Sequence, residues 1–203
     1  MEKARLEAFT DGVFAVAITL LALDLAVAGP GHGSLAHQLG QHWPSYAAYV
    51  VSFFIIGITW VNHHGLFKTF ARTDRTLLFL NLLLLLFIVA IPFATSTMAT
   101  YLRGGGADAH LAAALYAAVL EGMALSFTAI FAWSIRRDRR HEPLPAGSAR
   151  GALVRFSLGS LVYLAAFALA FVSAPATLAL IALVALYYVF EQTPTGNNGT
   201  RSQ

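Results

Sequence analysis

The sequence predicts an all-α membrane protein of six transmembrane helices, and three observations lead there. Of 203 residues, 58% are hydrophobic and only 11% are charged, with a mean hydropathy of +0.66. Soluble domains carry about 25% charged residues, so lipid is the solvent that suits this composition. Apolar stretches near the ~20 residues that cross a hydrocarbon core recur along the whole chain. Basic residues, finally, gather in alternate connectors instead of spreading evenly.

The expected spans cover 6–28, 46–67, 75–98, 109–135, 151–172 and 176–190, within one membrane domain over 1–192. Each is read as helix because backbone groups in hydrocarbon must satisfy one another locally, and the runs are too uniformly apolar to alternate as barrel strands. The first span follows Lys3 and Arg5 as a signal peptide would. Its apolar run, however, exceeds the roughly 7–15 residues of a signal h-region, and Gly29-Pro30 ends it without an A-x-A cleavage pattern, so it reads as a retained span. The connectors at 29–44, 68–74, 102–108, 136–150 and 173–175 hold glycines, prolines or charges. Pro92 falls inside the third span, where proline kinks a helix. The last span is the shortest, and the polar tail 193–203, rich in Gly and Asn, is expected to be disordered.

Six spans return the C-terminus to the side of the N-terminus. Twelve of the 13 Lys and Arg then lie on that side, with Arg103 alone on the other, and positive charge marks the cytoplasmic face. Both termini are therefore expected in the cytoplasm, which leaves Asn198-Gly199-Thr200 out of reach of glycosylation. The same loop bias accounts for the net charge of +3, so no nucleic-acid partner is expected. Trp43, Tyr46, Trp60, Trp133, Tyr187 and Tyr188 near span ends read as an interfacial aromatic belt. The absence of cysteine excludes disulfides, thiolate metal sites and cysteine nucleophiles.

Ionisable groups inside hydrocarbon cost roughly 2.5–3.5 kcal/mol at a helix centre, so each asks for a partner or a function. Asp11, Asp24, His63, His64 and Glu121 are the candidates. Glu121, near the middle of the fourth span, reads as a neutral acid buried between helices or as a proton or cation site. His63 and His64 are adjacent and project about 100° apart, unlike the i, i+4 pair of a helical metal site, so no resident metal is expected. With Trp60 and Asn62 they form a polar cluster on the second span, and Asn81 sits at matching depth on the third. An interhelical hydrogen-bond network is the expected role. No nucleophile elbow, zinc-protease motif, P-loop or dinucleotide fingerprint occurs, and neither enzymatic activity nor a cofactor is expected.

The first span reads Arg5-Leu6-Glu7-Ala8-Phe9-Thr10-Asp11-Gly12 and onward to Leu21. It resembles the first helix of bacterial relatives of transmembrane protein 175, the endosomal and lysosomal potassium channel. Arg5, Phe9 and Asp11 match the family's R-x-x-x-F-S-D signature, with Thr10 in place of its serine. Trp60-Val61-Asn62-His63-His64 is similar to the family's second-helix pattern, and Asn81 precedes a Leu-rich run to Pro92-Phe93. The resemblance extends over about 5–97, while the later spans agree in hydropathy alone. It implies a potassium-selective channel in the plasma (inner) membrane of a bacterium. It also implies a homotetramer whose central pore is lined by the first helices, with a constriction at Val16, Thr19 and Leu23. The permeant ion is then potassium, with other monovalent cations possible. No T-V-G-Y-G-like filter occurs, consistent with such a pore.

Helical geometry gives a stripe without the resemblance. Taking Val16 as origin, Leu20 falls at about +40°, Leu23 at about −20°, Val27 at about +20°, Gly12 at about −40° and Thr19 at about −60°. Asp11 lies about 140° away, turned toward the second and third helices. Arg5, Phe9, Thr10, Asp11, Trp60, His63, His64 and Asn81 are thus expected to serve folding and registration. Val16, Thr19, Leu20 and Leu23 are expected to line the pore as hydrophobic constriction rings, with Asp24 drawing in cations at the outer end. The competing reading is a proton-coupled or other secondary transporter using Glu121, His63 and His64. Against it, the sequence shows neither paired broken helices nor an internal repeat.

Overall fold

The structure, a computed structural model, describes residues 3–25, 27, 29–135, 139–141 and 148–191, with 148–158 and 190–191 described by backbone alone. The expectation for the tail 193–203 lies outside these residues. Among the described residues seven α-helices follow one another: α1 (Lys3–Leu20), α2 (Leu35–Gln41), α3 (Trp43–Lys68), α4 (Arg75–Tyr101), α5 (Gly106–Ser134), α6 (Ser148–Ala170) and α7 (Ala174–Glu191). No strand forms among the described residues, apart from one antiparallel bridge between Phe70 and Arg140. The four helical segments Lys3–Asp24, Trp43–Lys68, Arg75–Tyr101 and Gly106–Ser134 are long and apolar enough to cross a membrane. The apolar stretches Gly159–Ala170 and Ala174–Val189 are shorter.

α4 and α5 pair along their lengths and form the centre of the bundle. α5 makes this possible by its small residues: Ala109, Ala112, Ala113, Ala114 and Ala117 are buried, so neighbouring backbones approach closely. At Gly122 the approach is tightest, since a Cβ there would meet the Phe87 ring on α4 at 2.2 Å. α4 starts on Asp74, whose side chain caps the Leu77 backbone N–H at 2.8 Å. It runs on through the buried Pro92 to Tyr101. α1 packs on α3 and α4 through Leu6, Thr10, Phe14 and Ala17, the buried residues at helical spacing.

The first span departs from its expected form. α1 ends at Leu20 and tightens into a 3-10 turn over Leu21–Asp24, so the helix does not continue to 28. Past Asp24 the backbone at Gly29 and Gly33 is tied to a side chain and not to a helix. Gln38, buried on α2, accepts from the Gly29 N–H at 3.0 Å and donates to the Gly29 and Gly33 carbonyls at 2.9 and 3.1 Å. This side chain supplies the partners a helix would otherwise provide, and Gly29 and Gly33 adopt φ of 89°, which glycine tolerates. A 3-10 turn advances about 120° per residue, which places Leu23 in line with Leu20 at about +40° from Val16. The Val16 to Leu23 rise becomes about 12 Å, against about 10 Å for a continuous α-helix. α2 itself was not anticipated in the connector 29–44; its signal is Ser34, whose hydroxyl caps the His37 N–H at 3.2 Å.

Candidate pore-forming face of the first helix

α1 has two unlike faces. Leu6, Thr10, Phe14 and Ala17, with Leu21 of the 3-10 turn, are buried against the bundle. The opposite face is open: Val16 is 56% and Leu23 74% exposed, and Leu20, Val27, Gly12 and Thr19 are exposed with them. Small residues Ala8, Gly12, Ala15, Thr19 and Ala22 run beside this ridge. No charged residue occurs between Asp11 and Asp24, and Asp24 is exposed at the end of the 3-10 turn. The Thr19 hydroxyl donates to the Val16 carbonyl at 2.8 Å, so its proton is engaged and its oxygen is left to act as an acceptor.

Behind that face the polar residues divide into two groups. Asn81 of α4 donates through Nδ2 to Thr10 Oγ1 of α1 at 2.8 Å, and its Oδ1 lies 2.8 Å from His63 Nε2 of α3. An amide oxygen only accepts, which makes Nε2 the protonated nitrogen of His63. All three side chains are buried, and the His63 ring stacks on Phe67 at 3.9 Å between centroids. One asparagine thus registers three helices. The second group lies at the surface: Trp60 Nε1 donates to Asp11 Oδ1 at 2.9 Å, and His64 stacks on Trp60 at 5.8 Å. Asp11 is therefore half-exposed, not buried in a charged network. Arg5 and Phe9 are exposed and make no hydrogen bond or ion pair among the described residues. By helical geometry they fall at about −20° and +20° from Val16, on the open side of α1 and apart from the network.

Several polar groups went unanticipated. Thr95 donates to the Ile91 carbonyl at 2.8 Å and so accepts from Ser52 at 2.7 Å; Ser52 in turn accepts from Tyr116 at 2.8 Å. This one-way chain ties α3, α4 and α5, and its signal was three hydroxyls at matching depth in adjacent spans. Ser160 of α6 donates to Glu121 Oε1 of α5, while Glu121 Oε2 is buried without a partner.

At the end of the bundle that carries the α1 N-terminus, residues 139–141 fold back on the α3–α4 connector. Ala71 N–H donates to the Arg139 carbonyl at 2.9 Å, and His141 N–H to the Thr69 carbonyl at 3.0 Å. Lys3 Nζ donates to the Phe70 carbonyl at 3.0 Å, joining α1 to this clasp. Arg139 lies 3.4 Å from Asp74 and over the Trp133 ring at 4.4 Å. Burial pushes the Asp74 carboxyl up, but hydrogen bonds from Leu77 N–H and Trp133 Nε1–H, with the Arg139 charge, outweigh it and hold Asp74 below the usual carboxylate range.

The chain is similar to known proteins over nearly its whole length. Residues 5–92 match the family model described as endosomal/lysosomal potassium channel TMEM175. A potassium channel of Streptomyces collinus is 53% identical over 195 residues, covering 95% of this chain and 94% of that protein. A potassium channel of Chamaesiphon minutus is 36% identical over 199 residues, covering 92% and 93%. The crystal structure of a lysosomal potassium-selective channel TMEM175 homologue from Chamaesiphon minutus superposes with a TM-score of 0.81 at 34% identity, covering 94% of this chain and 97% of that one. With such identity sustained from end to end, the chain belongs to the TMEM175 potassium-channel family.

Proposed function

We propose that the protein is a potassium-selective cation channel, a homotetramer whose axial pore is lined by the open face of four α1 helices. The observation that carries this reading is that face: apolar but for Thr19, free of charge from Gly12 to Leu23, and left open by the described residues. One helix cannot enclose a path, so several copies must associate around an axis. The small residues beside the ridge allow close approach between copies. Val16, Leu20 and Leu23 then form apolar rings, which close a narrow path by dewetting because they offer an ion nothing in place of its hydration shell. Thr19 sets a ring of acceptor oxygens between them, favouring the cation that sheds water more readily. Asp24 adds negative potential at the outer mouth.

Six spans per subunit complete this reading, with α6 and α7 as the fifth and sixth. Both termini lie in the cytoplasm of a bacterium whose plasma membrane holds the channel. Support comes from the distribution of Lys and Arg and from the potassium-channel names and solved structure of the relatives.

The chain lacks cysteine, which gives a clean background for accessibility. Single cysteines at Val16, Thr19 and Leu23 are expected to bring current block by a cationic thiol reagent, whereas cysteines at Phe14 and Ala17 are not. Block confined to Phe14 and Ala17, or absent from all five in assembled protein, contradicts the orientation.

A further inference from the structure

Glu121 sits near the middle of the 29-residue α5, on the half of the chain beyond the α1 pore face and the Asn81 network. Its Oε1 accepts from Ser160 of α6, and its Oε2 is sealed from solvent without any hydrogen-bond partner. Ser160 is the hydroxyl in direct contact with it. Tyr163 of α6 is buried within electrostatic reach of Glu121, of Tyr116 on α5 and of Tyr188 on α7. The Tyr188 hydroxyl lies against α6 beside Ser160, where a Cβ on Gly159 would stand 3.1 Å from it. From α4, the apolar Phe87 ring packs on the adjacent Gly122. No basic side chain pairs with Glu121 among the described residues; the nearest basic residue in sequence on α6 is Arg155, five positions before Ser160.

A carboxylate held among apolar helices with one oxygen unpaired is costly unless a positive charge meets that oxygen. One positive charge, small enough to sit against a sealed oxygen, meets that need. The geometry points to a monovalent-cation site within each subunit, away from the pore face of α1, in which Glu121 Oε2 is the anionic ligand. The bound cation is either a proton, carried covalently on Oε2, or an alkali ion, with the neighbouring Ser160 hydroxyl oxygen contributing to an oxygen donor set of the kind hard cations take. The Ser160 hydroxyl orients the carboxyl by occupying Oε1, so the open position is defined on Oε2. This site stands independently of the conduction reading, because nothing in it faces the open side of α1.

The test is infrared difference spectroscopy of the purified full chain in nanodiscs, wild type against Glu121→Gln, in potassium, sodium and N-methylglucamine buffers at one pH. A protonated-carboxyl band removed by Glu121→Gln and unchanged among the three buffers identifies the cation as a proton. An ionised-carboxylate band that shifts between potassium or sodium and N-methylglucamine identifies an alkali ion. Ser160→Ala, which keeps the carboxyl, is expected to shift the same band, and it identifies the band if the Gln variant does not fold. An ionised band identical in all three buffers overturns the site, as does one that moves only in Arg155→Gln, which makes Arg155 the counter-charge. Potassium current of unchanged unitary size in folded Glu121→Gln separates this result from the fate of the pore proposal.

Discussion

At the scale of single residues, burial separates side chains that share a motif. Asn81 is fully buried and makes two bonds to two different helices, so Asn81→Ala orphans both Thr10 and His63. Each orphaned group costs on the order of 1–3 kcal/mol, and the variant is expected to lose thermal stability and yield of assembled protein in detergent. Asp11→Asn should cost less, about 1 kcal/mol, because the bond from Trp60 lies at an exposed edge. Equal losses from the two variants would contradict this division. The sequence marks polar side chains in apolar spans as needing partners, and the structure brings Thr10, His63 and Asn81 together while Arg5 and Phe9 stand apart. It carried less about which members are buried: Arg5 and Phe9 sit within the motif yet turn to the open face, a distinction that rests on the rotation of α1 against its neighbours. The hydroxyl chain of Ser52, Thr95 and Tyr116 was readable in principle from depth, but isolated Ser, Thr and Tyr carry no charge to draw attention to them.

At the scale of elements, hydropathy located the long helices well because one apolar solvent acts on all of them alike. Their ends were harder, because ends are set by individual hydrogen bonds. Gln38 ties Gly29 and Gly33 beyond the end of the first helical segment, a contact no hydropathy window registers. The α4–α5 pairing depends on shape: Gly122→Ala places a methyl into the Phe87 ring, and such overpacking costs about 1–3 kcal/mol. Adding Phe87→Leu should recover part of that loss in a thermal melt, and strict additivity of the two changes would contradict direct contact. The clasp at 139–141 has a pH signature. The Asp74 carboxyl is held below its ordinary value of 3.8, so its contribution is complete above that pH and disappears as acid protonates the folded form. Hydrogen exchange at Ala71 and His141 should therefore accelerate only at strongly acid pH in the wild type. In Asp74→Asn, which retains a capping side chain, it should be fast already at neutral pH. Slow neutral exchange in that variant would remove the charge from the account.

At the scale of the whole molecule, the α1 face is apolar but for Thr19 and uncharged from Gly12 to Leu23, and the proposed function depends on how copies meet around it. Mass measurement in nanodiscs should give four subunits; a stable monomer contradicts both assembly and pore. Within that assembly, Val16→Ala and Leu23→Ala are expected to raise unitary conductance, and Thr19→Val to reduce discrimination between potassium and sodium. In the proposed pore the apolar rings and the acceptor ring would act on different steps, dewetting and dehydration. The family was legible from the first half of the chain, where charged and aromatic residues keep fixed spacing. The second half, uniformly apolar, offered hydropathy alone, and its relation to bacterial potassium channels emerges only from identity along the full length. The central claim is passive, potassium-selective conduction, and single-channel recording of purified protein in a planar bilayer tests it most directly. With potassium on one side and sodium on the other, discrete current steps should appear and reverse far from zero, at a voltage that opposes potassium leaving its side. Saturable flux without unitary steps, or reversal at zero voltage, would contradict it.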